Sequence, residues 1–98
     1  SLKGKKVLVV CVAYKPNVAD TRETPAELLI DSLEDLGAVV SWNDPVVGSW
    51  HGKESVGLNG ADIAVIVTKH DVVSAEDILE SAPYVFDTTG KVKGAVQL

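Results

Sequence analysis

The sequence contains no methionine among its 98 residues, not even at position 1. A protein that starts at its own initiation codon begins with methionine, so we expect this chain to be a piece of a longer protein. Residues 1–98 are enough for one domain with its own hydrophobic core. We therefore predict a single domain whose activity depends in part on segments outside it.

Cysteine is nearly absent as well, since Cys11 is the single one. One cysteine excludes an internal disulfide and is typical of a reducing compartment, which predicts a cytoplasmic protein. There is no cysteine pair, and His51 and His70 lack the spacing of a zinc site, so no metal is predicted. Cys11 lies in an apolar run, where burial raises the pKa of a thiol and makes it inert. It is predicted to be structural rather than catalytic.

Long apolar runs and positive charge are also scarce. No run approaches the ~20 residues of a membrane span, and no signal-peptide pattern opens the chain. The net charge of −5 argues against a nucleic-acid partner. Yet residues 1–22 hold five basic side chains and one acidic one. Lys15 and Arg22 thus form a local cationic spot on an acidic domain, which suits a small phosphorylated ligand.

The pattern of elements predicts a three-layer, Rossmann-like α/β domain. Short apolar runs indicate buried strands. A stripe at i, i+3, i+4 and i+7 spacing indicates a core-facing helix, and its members are Ala26, Leu29, Ile30, Leu33 and Leu36. The predicted strands are Val7–Cys11, Ala38–Trp42, Ile63–Val67 and Tyr84–Phe86, and the predicted helices are Pro25–Leu36, opened by a capping box at Thr24 and Glu27, and Ser74–Ser81. Residues 46–60 are assigned to loop with one helical turn near 55–58, and the tail to Leu98 is extended. The sheet is predicted to be parallel, in the order 2-1-3-4, with helices on both faces.

That strand order places a ligand crevice between the first and third strands. The winding reverses there, and ligands bind at the carboxyl ends of strands at such a switch point. The segment Tyr14–Arg22 should then lie opposite Thr68–His70, with Asp44 and Asp87 on the flanks. Lys15 could be an ordinary surface lysine, and Arg22 could simply pair with a neighbouring acid. At this position an ammonium also suits a phosphate, and a guanidinium suits a pyrophosphate.

The stretch Ala13–Pro25, read AYKPNVADTRETP, resembles the signature of a known enzyme family. The pattern is roughly G-x-A-[FY]-K-x-x-x-x-D-x-R-x-[ST]-P, in which this chain has Cys11 at the glycine. It belongs to the C-terminal, UDP-binding domain of the UDP-glucose/GDP-mannose dehydrogenases, the nucleotide-sugar dehydrogenases. The resemblance continues through Gly37-Ala38, Asp44-Pro45 and Phe86-Asp87, and so covers nearly the whole chain.

The resemblance implies a role for three of the candidate site residues. Tyr14 and Lys15 would contact the UDP-sugar substrate, and Arg22 would reach the NAD held by a missing N-terminal domain. From their positions in the chain, Asp20 is expected to orient Arg22 as its ion-pair partner, and His70, at a strand end, is expected to line the crevice. The nucleophilic cysteine of the family belongs to a missing middle domain, so no catalytic residue is predicted here. The chain should be inactive in isolation, and the full-length enzyme a homo-oligomer that oxidises the sugar C6 alcohol to a carboxylate.

Two further features bear on substrate and class. Some relatives, including UDP-glucose enzymes, carry an arginine around the position of Thr89, and its lack favours another sugar, such as an N-acetylated hexosamine. The chain has no G-x-G-x-x-G, so it should not hold a dinucleotide by the usual glycine turn. A stand-alone flavodoxin-like signalling domain is an alternative, although Asp44 has no neighbouring acid with which to hold Mg²⁺. A structural dimerisation module is a third possibility.

Overall fold

The computed structural model describes all 98 residues, Ser1–Leu98. Its strands are β1 (Lys6–Val10), β2 (Val39–Asn43), β3 (Ser49–Trp50), β4 (Lys53–Glu54), β5 (Ile63–Ile66), β6 (Tyr84–Asp87) and β7 (Val96–Gln97), and its helices are α1 (Pro25–Asp35) and α2 (Ala75–Glu80). A five-stranded, fully parallel sheet has the order β2-β1-β5-β6-β7. The predicted order of four strands is confirmed, and the tail adds a fifth.

β1 lies inside the sheet, between β2 and β5, and both of its faces are apolar. Side chains alternate between the faces of a strand. Leu8 and Val10 pack into one cluster with Ile78 of α2, whereas Val9 packs into the opposite cluster with Ala26 of α1. The helices therefore cover both faces, as predicted. Neither helix is long and apolar enough to cross a membrane.

α1 begins where the sequence indicates but without a complete capping box. Thr24 is the N-cap, and its hydroxyl accepts the Ala26 N–H at 3.2 Å. The predicted return bond from Glu27 is wrong, because the Glu27 carboxylate lies 2.8 Å from Nε2 of His51 instead. At the other end, Gly37 takes φ 90°, the left-handed conformation expected of a helix stop.

The apolar stripe of α1 is less buried than its periodicity predicts. Only Ala26 is fully buried, and Leu29, Ile30 and Leu33 are half-buried against the cluster beneath them. Leu36 is 61% exposed, so its place in the stripe was wrong. α1 is the only helix on its face of the sheet, so no second helix covers its flanks. Leu36 is also the C-cap, where the helix ends.

We expect Leu33→Ala to destabilise the domain more than Thr24→Ala. Because Leu33 is half-buried, its replacement should lower the free energy of unfolding by about 2 kcal/mol, the lower end of the range for core leucines. The lost cap should cost about 1 kcal/mol. Urea unfolding measures both, and Leu36→Ala, at an exposed position, should stay within about 0.5 kcal/mol of the parent. A Thr24 variant less stable than the Leu33 variant would show that the helix phase is misassigned.

The segment assigned to loop and a helical turn, residues 46–60, contains a β-hairpin instead. β3 and β4 pair antiparallel, and His51 and Gly52 between them take φ values of 51° and 75°. Two positive φ values are what a tight two-residue hairpin turn requires. Two-residue strands are too short to show alternation in a sequence. Trp50 at the hairpin packs edge-on against Trp42, with ring centroids 6.0 Å apart.

Candidate functional site

The carboxyl ends of β1 and β5 form the switch point of the sheet. β1 pairs with β2 on one side and with β5 on the other, so the chain reverses its winding between them. We call residues 11–24 the β1–α1 loop. Thr68, just after β5, donates its hydroxyl to the Ala13 carbonyl at 2.9 Å. This contact confirms that the two strand ends and their loops are adjacent.

The predicted ligand contacts of the β1–α1 loop lie on the surface. The Tyr14 N–H donates to the Asp20 carbonyl at 2.6 Å, and this hydrogen bond joins the two ends of the segment between them. Tyr14 is 52% exposed, and Lys15 is exposed and forms no hydrogen bond. A shallow depression of about 540 Å³ is lined by Tyr14, Asp20, Arg22 and Glu23. Lys15 is not among its lining residues, so the structure brings only part of the predicted set together.

Arg22 and Asp20 form a two-pronged ion pair. Arg22 Nε and one terminal nitrogen lie 3.0 and 2.9 Å from the two carboxylate oxygens, and the Arg22 N–H also donates to Asp20 at 2.9 Å. These hydrogen bonds lower the pKa of Asp20 to about 2. The Arg22 side chain is 88% exposed, so solvent screens the ion pair and it contributes little to the free energy of unfolding. The other terminal nitrogen forms no hydrogen bond within the chain, although the Asp20 and Glu23 carboxylates line the same depression.

Asp44 and His70 lie beneath the crevice and are completely buried. One Asp44 oxygen accepts the N–H groups of Val12 and Ala13 at 2.9 and 3.2 Å and lies 2.9 Å from His70 Nε2. The other accepts two more backbone N–H groups, at residues 46 and 47. The buried carboxylate therefore joins the segment after β1, the turn after β2 and the segment after β5. His70 does not present its ring to the crevice.

Cys11 takes the left-handed conformation, with φ 64°, at the position where the family pattern has glycine. Only a residue without Cβ adopts this φ freely, which accounts for the glycine in the pattern. Cys11, Asp44 and His70 bring ligand-type atoms within 4.8 Å of one another. Both Asp44 oxygens and both His70 ring nitrogens already have hydrogen-bond partners, so this set offers a metal few free lone pairs.

Alkylation of Cys11 is expected to be slow in the native protein. Burial raises the pKa of the thiol to about 11, although the His70 backbone N–H partly offsets it. At pH 8 a thiol with that pKa is thiolate in only about one molecule in a thousand, and the thiolate is the reactive form. Iodoacetamide labelling followed by mass spectrometry, with urea-unfolded protein as the control, measures the ratio. Equal labelling rates would mean that the end of β1 is open to solvent.

Asp87 is the second buried carboxylate at this edge of the sheet. Burial raises its pKa, but hydrogen bonds from Thr89 and Val92 outweigh that effect and hold the pKa below its ordinary value. The Thr89 hydroxyl donates to Asp87 at 2.6 Å and its N–H at 2.8 Å. The Thr89 side chain, near the position where some relatives carry an arginine, is thus hydrogen-bonded within the turn that follows β6.

The sheet is parallel, helices cover both of its faces, and a crevice lies at its switch point. An exposed lysine and an exposed arginine stand on one loop beside that crevice. This combination is typical of an α/β domain that binds a nucleotide. A family model described as "UDP-glucose/GDP-mannose dehydrogenase family, UDP binding domain" matches residues 8–94. The chain belongs to that family and corresponds to its C-terminal, UDP-binding domain.

Curated relatives agree with this assignment. The chain is 36% identical over 98 aligned residues to a UDP-N-acetyl-D-mannosamine dehydrogenase of Methanococcus maripaludis, covering 89% of this chain and 23% of the relative. It is 35% identical over 86 residues to a UDP-glucose 6-dehydrogenase of Haloferax volcanii, covering 78% of this chain and 20% of the relative. The chain thus spans about a quarter or less of the length of these relatives.

Solved structures confirm the fold. A UDP-N-acetyl-mannosamine dehydrogenase of Staphylococcus aureus superposes with a TM-score of 0.73 at 27% identity, over 96% of this chain and 24% of that one. An NDP-N-acetyl-D-galactosaminuronic acid dehydrogenase of Methanosarcina mazei superposes with a TM-score of 0.74 at 26% identity, over 88% of this chain and 21% of that one.

Proposed function

We propose that this domain binds the UDP group of a nucleotide-sugar at the carboxyl edge of its sheet, with Tyr14 and Lys15 as substrate contacts. The observation that carries the proposal is the exposure of both side chains on the loop that leaves β1 at the switch point. An ammonium with no partner in the chain is free to meet a phosphate, and the tyrosine ring offers a face to a base or sugar. UDP is proposed as the nucleotide because the matching family model describes a UDP binding domain.

The parent protein, in this proposal, is an NAD-dependent nucleotide-sugar 6-dehydrogenase. The sugar C6 alcohol becomes a carboxylate as one water is consumed and two NAD⁺ are reduced to two NADH with release of three protons. No residue of this chain is assigned to that chemistry, and the chain lacks the glycine turn of a dinucleotide site. Within this chain, Arg22 is the residue suited to contact NAD. Asp20 fixes its exposed guanidinium, and one terminal nitrogen remains free for a pyrophosphate oxygen.

We also propose that the sugar is an N-acetylated hexosamine rather than glucose. Thr89 stands near the position where some relatives carry an arginine, and its hydroxyl is already used by Asp87. The relative from Methanococcus maripaludis, covering 89% of this chain, is a UDP-N-acetyl-D-mannosamine dehydrogenase. Cytoplasmic location and homo-oligomerisation of the parent enzyme are further parts of the proposal, the first because Cys11 is a free thiol.

Titration of ¹⁵N-labelled chain with UDP tests the proposal directly. The amide resonances of Tyr14, Lys15 and Arg22 should shift together and saturate, while those of the β3–β4 hairpin should not move. Uridine, which lacks the phosphates, is the matched control and should bind far more weakly. The chain should reduce no NAD with any UDP-sugar. Shifts confined to another surface, or equal binding of uridine and UDP, would contradict the proposed site.

A further inference from the structure

The β1–α1 loop is fixed to the rest of the domain at one point beyond its base. From residue 14 to residue 22, every hydrogen bond to a segment outside the loop runs through Asn17. The Tyr14–Asp20 and Arg22–Asp20 contacts are internal to the loop. The position of Lys15 relative to the crevice therefore depends on what holds Asn17.

Asn17 is held by the segment that follows β5. Its backbone N–H donates to Nδ1 of His70 at 2.8 Å. Its side chain makes a reciprocal pair with Asp71: Asn17 Nδ2 donates to the carboxylate at 3.2 Å, and the Asp71 N–H donates to Asn17 Oδ1 at 2.8 Å. Asn17 also takes φ 64°, which asparagine tolerates better than most residues. Three hydrogen bonds thus converge on this one residue.

The geometry also fixes the tautomer of His70. Because the Asn17 N–H points at Nδ1, that nitrogen is the acceptor and the ring proton lies on Nε2, which donates to Asp44 at 2.9 Å. Asp44 is itself immobilised by four backbone N–H groups. A continuous path of hydrogen bonds therefore runs from the sheet through the buried Asp44 and His70 to the exposed Asn17 in the middle of the loop.

We infer that His70 is a positioning residue for nucleotide binding: Nδ1 of its ring holds Asn17, and with it the loop that carries Tyr14, Lys15 and Arg22, while Asp44 keeps the ring in the tautomer that accepts from Asn17. Neither residue touches the ligand. The inference rests on the proposed function for the identity of the ligand, and on the hydrogen bonds alone for the anchoring of the loop.

Two substitutions of His70 separate its two hydrogen bonds. An asparagine places its side-chain oxygen where Nδ1 was, so His70→Asn keeps the acceptor for Asn17 and loses the bond to Asp44. A glutamine places its side-chain nitrogen where Nε2 was, so His70→Gln keeps the bond to Asp44 and loses the acceptor. Both are neutral, but asparagine is one methylene smaller than glutamine, so His70→Asn leaves the larger void at this buried position and a measurement of folding has to accompany the comparison.

The test combines amide hydrogen exchange at Asn17 with calorimetric titration of UDP, on the parent chain and both variants. In His70→Gln the Asn17 amide should exchange faster and UDP should bind roughly three- to tenfold more weakly, the worth of one hydrogen bond. In His70→Asn the amide should stay protected and the affinity within about threefold of the parent. Asn17→Gly keeps the backbone donor and the left-handed φ, and should fall between them.

Thermal melting provides the control for folding, and the outcomes separate the two claims. Two variants that melt alike yet differ in UDP affinity in the stated order support the inference. Loss of Asn17 protection with unchanged UDP affinity, or equal weakening in both variants, overturns it. A parent chain that keeps Asn17 protected but binds no UDP overturns the proposed function, and the positioning role falls with it.

Discussion

Replacement of Asp44 by alanine is expected to lower the free energy of unfolding by roughly 3–5 kcal/mol, the usual cost of breaking a buried charged network. The change would leave four backbone N–H groups and the His70 Nε2–H buried without an acceptor. Each such group carries a penalty of about 1–3 kcal/mol, partly relieved by relaxation. Because a domain of this size is stable by only about 5–15 kcal/mol, the variant should melt far below the parent.

Asp62→Ala is the matched control for the loss of a carboxylate. Asp62 is exposed and accepts a single N–H group, from Lys6 at 2.9 Å, so its replacement should cost under about 1 kcal/mol. Chemical denaturation with both variants measures the difference. If Asp44→Ala were no more destabilising than Asp62→Ala, the buried carboxylate would not be holding the ends of β1 and β2 together.

Replacement of Lys15 by alanine is expected to weaken UDP binding by about 1.5–3 kcal/mol, the worth of a charged hydrogen bond. That corresponds to a roughly 10- to 150-fold increase in the dissociation constant. The N-terminus of α1, whose free N–H groups favour anions, adds positive potential at this edge, and Arg22 on the same loop keeps one unbonded terminal nitrogen although Asp20 pairs with it. Nothing in the fold itself depends on Lys15, because its side chain is exposed and unbonded.

Lys93→Ala is the control for a general loss of positive charge. Lys93 is also an exposed lysine, but it lies in the tail beyond β6. Its replacement changes the net charge by the same amount and should leave UDP affinity within about twofold, since charges on the open surface are screened. Isothermal titration calorimetry with UDP measures both. Equal weakening would reduce the role of Lys15 to long-range attraction.

The sequence predicted the parts of the fold that local patterns specify. The apolar run of β1 and the Thr24-Pro25 start of α1 are local signals, and both elements lie where those signals indicate. The strand order is not a local signal: it was predicted on the condition that the third strand lies on the far side of the first from the second, and the structure confirms that order. The loop bearing Tyr14, Lys15 and Arg22 was located because a buried strand changes abruptly into polar residues.

The features that the sequence could not predict depend on contacts between distant segments. The Asn17–His70 and Asp44–His70 hydrogen bonds span 53 and 26 residues. No local pattern shows that His70 is buried under the crevice rather than lining it. The one available signal for Asn17 was its residue type, since asparagine tolerates a positive φ in loops. The half-buried stripe of α1 likewise depends on how much sheet the helix covers.

Steady-state kinetics of the proposed parent dehydrogenase, in its intact form, test the central claim most directly. With the nucleotide-sugar and NAD varied in turn, Lys15→Ala should raise the Michaelis constant for the nucleotide-sugar, and Arg22→Ala chiefly that for NAD. Arg22→Lys should restore only part of the NAD affinity, because a point charge cannot replace the two-pronged guanidinium. This crossed pattern is the predicted result. Unchanged Michaelis constants and turnover in both alanine variants would contradict the account and leave the loop a purely structural element.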